Sequence, residues 1–89
     1  MILNRRLLMD KLNFGEAIAA LKSGKPVARE GWNGKGMWLM LMAEGETTLP
    51  NGETYEAAPF IVMKTADNKI VPWLASQTDV LAEDWVEVV

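Results

Sequence analysis

Met37-Trp38-Leu39-Met40-Leu41-Met42 is an unbroken apolar run of strand length. A strand that is apolar at every position is one covered on both faces, because a half-solvated strand alternates apolar with polar residues. A chain of 89 residues builds a single hydrophobic core. The chain can supply one of the two covers, and a second subunit is a ready source of the other.

Upstream of this run, Gly31-Trp32-Asn33-Gly34-Lys35-Gly36 has the composition of a tight turn. It leads back to a short strand, Pro26-Val27-Ala28-Arg29-Glu30. Before that strand, Asn13 and Glu16 have the spacing of a capping box, with Asn in place of the usual Ser or Thr. Phe14, Ala17, Ile18 and Leu21 recur at helical spacing, and Lys22 and Gly24 supply the stop, so a helix is expected over 14–23. Its stripe is narrow and rich in Ala, which suits close packing on a sheet.

Downstream, residues 43–59 are polar and acidic, with a strong turn signal at Pro50-Asn51-Gly52. They form either a mobile loop or a small outlying hairpin. Phe60–Thr65 is the next strand, Asp67-Asn68 turns it into Lys69–Val71, and Pro72 ends the ladder. Ser76 is positioned to cap a short helix over 77–83, and Trp85–Val89 closes the chain as a strand. The expected fold is α+β: a small single domain at 13–89, with an antiparallel sheet, an N-terminal helix and a short second helix before the last strand. Residues 1–12 are expected to be a flexible extension.

Composition narrows the chemistry. With no Cys and no His, there is no thiol nucleophile, imidazole base or common metal triad. A net charge of −3 and a pI of about 4.8 argue against binding a nucleic-acid polymer, whose affinity comes from neutralising many phosphates. A compact anionic ligand needs only a local cluster of donors. No apolar run approaches the ~18 residues of a membrane span, so no membrane role is expected, and the lack of Cys fits the cytoplasm.

Four Trp in so short a chain mark the places where a ligand could bind. Trp38 and Trp85 lie within strands and read as core. Trp32 sits in the Gly-rich turn and Trp73 follows Pro72. For these two, capping the core and stacking on a planar ligand or partner both remain open. The N–H groups of the Gly-rich turn, with Arg29, Lys35 and the Asn33 amide close in sequence, could cradle an anion, although a hairpin turn explains the glycines more simply. Ser76-Gln77-Thr78-Asp79 offers hydroxyl, amide and carboxylate groups, which helix capping also explains. Glu83-Asp84 reads as solvated surface, because adjacent helical residues do not face each other. Met40 and Met42 suit either core filling or an oligomer interface.

Asn13-Phe14-Gly15-Glu16-Ala17, Val27–Met37, Met63–Asp67, Val71-Pro72-Trp73-Leu74-Ala75-Ser76-Gln77-Thr78-Asp79 and Leu81-Ala82-Glu83-Asp84-Trp85 together resemble the second type of Thoeris anti-defence protein, a family of small phage and prophage proteins. The resemblance covers about residues 13–89. It implies a non-enzymatic protein without a cofactor that assembles as a homo-oligomer, a tetramer in that family. Such a protein acts in the cytoplasm of the bacterial host as a sponge for cyclic ADP-ribose-type signals of Thoeris immunity. Some members take up cyclic oligonucleotides at a separate site, which leaves that ligand open here. Carried onto this chain, the resemblance implies aromatic contacts to adenine from Phe14, Trp32 and Trp73. It implies ribose or phosphate contacts from Ser76, Gln77 and Asp79, with Arg29 and Asn33 nearby. The alternative from a different class is an oligomeric protein-interaction module with no nucleotide ligand.

Overall fold

The computed structural model describes residues 11–32 and 35–88. Asn33 and residues 1–10 of the expected extension lie outside them. The described chain runs α1 (Phe14–Lys22), β1 (Val27–Arg29), β2 (Trp38–Met42), β3 (Gly45–Thr48), β4 (Thr54–Ala57), β5 (Phe60–Lys64), β6 (Ile70–Pro72), α2 (Gln77–Leu81) and β7 (Trp85–Glu87). This is the expected small α+β domain with an antiparallel sheet.

The main sheet has five strands in the order β6-β5-β2-β1-β7, and every pairing in it is antiparallel. Both helices carry the predicted caps. The Asn13 side chain accepts from the Glu16 N–H at 2.8 Å while Glu16 accepts from the Asn13 N–H at 3.0 Å, and Ser76 and Asp79 exchange the same pair of bonds at α2. α1 lies across one sheet face, where Ala17, Ala20 and Leu21 join Val27, Leu39 and Trp85 to form the core. Two alanines on the buried stripe let the helix backbone approach the sheet closely. Leu12 is tied to the last strand: its N–H donates to the Trp85 carbonyl at 2.7 Å, and the reciprocal bond measures 3.1 Å.

The apolar run splits by strand alternation. Leu39 and Leu41 face the helix side, Leu39 within the core and Leu41 packed against it. Trp38, Met40 and Met42 point the other way, in register with Lys64, Val62 and Phe60. Met42, Phe60 and the neighbouring Ile70 are 47%, 47% and 59% exposed. Among the described residues no helix packs on this second face; Val62 within it is buried, while Met42, Phe60 and Ile70 make up its bare part. Trp38 was expected in the core, but it stands half-buried on the bare face, and Trp85 is the Trp that fills the core.

Residues 43–59 form an outlying hairpin. β3 and β4 pair only with each other, and apart from the half-buried Ala57 their residues are exposed. The hairpin continues the β2–β5 ribbon after a break at Ala43-Glu44 and Ala58-Pro59, where Pro59 has no N–H to donate to a ladder. At the tip, the Leu49 carbonyl accepts from the Gly52 N–H at 2.9 Å, and Gly52 has a φ of +88°. That left-handed conformation is the one the Pro-Asn-Gly signal supplies.

The boundary at Pro72 shifts slightly. Pro72 is itself paired, opposite Val62, and the Trp73 N–H donates to the Ile61 carbonyl at 3.1 Å. β6 is an edge strand, so Pro72 breaks no ladder there. α2 ends at Leu81 and β7 at Glu87, each short of the expected limit.

Candidate functional site

Trp85 is fully buried at the start of β7 and is the hub of an aromatic cluster. Phe14 lies 5.7 Å from it, Trp73 6.0 Å and Trp32 5.5 Å, measured between ring centroids. The two Trp pairs meet edge to face at 87° and 80°, the arrangement that places the positive ring edge on the negative face. Phe14 also touches Trp73 at 6.4 Å. Three elements bring these rings together: the first residue of α1, the turn after β1 and the segment after β6. Phe14, Trp32 and Trp73 are each only partly buried and pack against the core. Both rings cap the core while the residues remain partly exposed, so the two readings left open for Trp32 and Trp73 are compatible.

The hub is oriented by its own polar atom, because the Trp85 indole N–H donates to the Asp79 carbonyl at 3.0 Å. A buried indole whose N–H is satisfied in this way has one preferred orientation.

Beside the rings is a charged cluster. The Arg29 Nη1 donates to Asp79 at 2.9 Å, and its Nε donates to Asp84 at 2.9 Å. These three side chains are only 14–26% exposed, so the pairs are better shielded from water than ordinary surface ion pairs. Hydrogen bonds from Arg29 hold the Asp84 carboxyl below the usual carboxylate range. Partial burial opposes this, and the Gly31 N–H reinforces it. For Asp79 the largest influence is burial, which raises the pKa. Hydrogen bonds from the Ser76 N–H and Arg29, with the Ser76 hydroxyl and the Trp32 side chain close by, outweigh it, and the net shift is downward. Arg29 is shifted upward, chiefly by its hydrogen bonds to Asp84 and then Asp79.

Asp84 was expected to be solvated surface, and its partners show otherwise. The Gly31 N–H donates to its Oδ2 at 2.8 Å. The Gly-rich turn therefore does present an N–H to an anion, and that anion is a carboxylate of the same chain. Nothing local in the sequence marks this contact, because Arg29 and Asp84 are 55 residues apart.

The structure thus gathers Phe14, Trp32 and Trp73 around Trp85, and places Arg29 and Asp79 against them. Ser76 and Gln77 are exposed at the start of α2, the Ser76 hydroxyl being used in the cap. No described helix is long and apolar enough to cross a membrane.

Comparison with known proteins identifies the relationship. A profile of the Thoeris anti-defense 2-like domain matches residues 12–88. The chain is also 49% identical over 85 residues to Thoeris anti-defense 2 of Bacillus phage SP01, an alignment covering 88% of this chain and 96% of that protein. The matched span takes in both helices, every strand and all the residues of the ring cluster, so the chain belongs to the Thoeris anti-defense 2-like family.

Proposed function

We propose that this protein is a non-enzymatic binding protein that sequesters cyclic ADP-ribose-type nucleotide signals and so blocks Thoeris immunity in the cytoplasm of a bacterial host. The observation that most supports this reading is the aromatic cluster, in which three partly exposed aromatic residues from distant parts of the chain are set around one buried Trp. In this reading Trp32 and Trp73, with Phe14 beside Trp73, take the adenine. Stacking of a base on an aromatic ring contributes on the order of 1–3 kcal/mol, so two such contacts give tight capture without an extended basic surface. Ser76 and Gln77 contact ribose or phosphate from the exposed start of α2. Arg29 and Asp79, which are engaged with each other, shape the wall of the site.

In the same reading the protein works as a homo-oligomer, taken to be a tetramer, and the bare sheet face is where copies meet. Met42, Phe60 and Ile70 expose apolar surface on that face beside the half-buried Trp38 and Met40, and large exposed apolar patches mark interaction sites. The bare face also favours the competing reading, an interaction module without a nucleotide.

One experiment separates the two. Purified protein is mixed with cyclic ADP-ribose isomers, washed and heated, and the released material is identified by mass. Release of the intact cyclic nucleotide is the expected result. Retention of nothing leaves only the interaction module, and a converted product would make the protein an enzyme.

A further inference from the structure

We propose that Asp84 is the positioning residue of the ring site, fixing the turn that carries Trp32 and so setting the Trp32 indole against Trp85. This rests on the functional reading above.

Asp84 holds three consecutive residues leading into that turn, from the end of β1 to Gly31. Its Oδ1 accepts from Arg29 Nε at 2.9 Å, its Oδ2 accepts from the Gly31 N–H at 2.8 Å, and its backbone carbonyl accepts from the Glu30 N–H at 3.1 Å. The turn closes on itself through the Trp32 N–H, which donates to the Arg29 carbonyl at 3.3 Å. The contact at Gly31 is close: a Cβ there would lie 2.9 Å from Asp84 Oδ2, so a larger residue would force the carboxylate to move. Asp84 also directly precedes Trp85 in the chain. One short segment therefore carries both the ring on which Trp32 packs and the carboxylate that holds its turn, so clamp and hub move together. Asp79 already pairs with Arg29, so charge balance alone does not explain a second carboxylate that also reaches the backbone of the turn.

Asp84→Asn and Gly31→Ala attack the clamp from opposite sides: the first removes the charge and one acceptor oxygen, and the second pushes the carboxylate off the turn. Protein labelled with 5-fluorotryptophan gives one fluorine resonance per Trp, assigned by single Trp→Phe substitutions. In the free protein, both variants are expected to shift and broaden the Trp32 resonance while the Trp38 resonance, on the far sheet face, stays in place. With cyclic ADP-ribose as probe, Asp84→Asn is expected to weaken binding about tenfold, one stacking contact's worth, but to add nothing in a Trp32→Phe background. A merely structural Asp84 would lower affinity equally in both backgrounds. That result, or a Trp32 resonance unchanged in both variants, overturns the proposal. If Trp32→Phe alone binds like wild type, the functional reading fails at Trp32, and the fluorine spectrum of the free protein still decides the positioning.

Discussion

The two faces of the main sheet are built from the same strands in opposite ways. On the helix side, Leu39, Val27 and Trp85 are sealed under α1, and the rings and ion pairs of the candidate site close its margin. On the other side, Met42, Phe60 and Ile70 are about half exposed, with Lys64 the charged residue paired among them. The contrast shows where burial is concentrated: apart from Val62, the core residues lie on the helix side, and the large apolar side chains left exposed on the sheet's other side lie at its β2–β5–β6 end.

Removing the hub should give the largest effect and tests whether the helix side alone holds the fold. Trp85→Ala deletes a fully buried ring together with the N–H that donates to Asp79. The loss should be about 3–5 kcal/mol, seen as a large fall in melting temperature or a failure to fold. A mild effect would mean that the bare face contributes more to the monomer than its exposure suggests.

The rims of the same face should respond through binding first. Trp73→Ala and Trp32→Ala should each weaken cyclic ADP-ribose binding by about tenfold to a hundredfold in isothermal titration. Because both rings also pack on Trp85, each should cost about 0.5–1.5 kcal/mol of stability through the lost ring pair. Loss of stability with no loss of affinity would make them core residues and nothing more.

Trp38→Ala, on the bare face, should behave differently again. Its cost to the folded monomer should stay within about 1.5 kcal/mol, while light scattering coupled to size exclusion should show the assembly shifted toward a 9.9 kDa monomer. If wild type itself elutes at that mass, the bare face is not where copies meet.

Acid should act on the helix side alone. Asp79 and Asp84 both titrate below the ordinary carboxylate range when folded. Their stabilising contribution is therefore complete above about pH 5, where unfolded Asp is ionised. It fades as pH falls through the depressed folded values. Arg29, shifted upward, stays charged throughout this window. Melting temperature should hold between pH 7 and about pH 5 and then fall, and Asp79→Asn should flatten that fall.

Much of the fold is legible in the sequence because its determinants are local. The capping box at Asn13, the N-cap at Ser76 and the Pro50-Asn51-Gly52 turn act within a few residues, and each forms as read. The burial of a strand residue is a relation between layers, and here the reading of Trp38 failed. An apolar run shows that two faces want cover without showing which one the chain covers. In the site, the loop Trp residues stood out because strand alternation did not place them, but Asp84 did not, since its partners are 55 and 53 residues away. A carboxylate beside another carboxylate near a helix end looks like surface until the sheet brings β7 next to β1.

The outlying hairpin has a practical use. Its turn at Leu49–Glu53 lies at the end of a ribbon whose side chains face water, past the break at Pro59. Exposed loop tips of this kind accept inserted sequence with little effect on the body of a protein. A short peptide epitope or a dye-attachment cysteine placed between Asn51 and Gly52 would give a reporter handle away from both the ring cluster and the bare face. As the chain has no cysteine of its own, that thiol would be labelled at a single position.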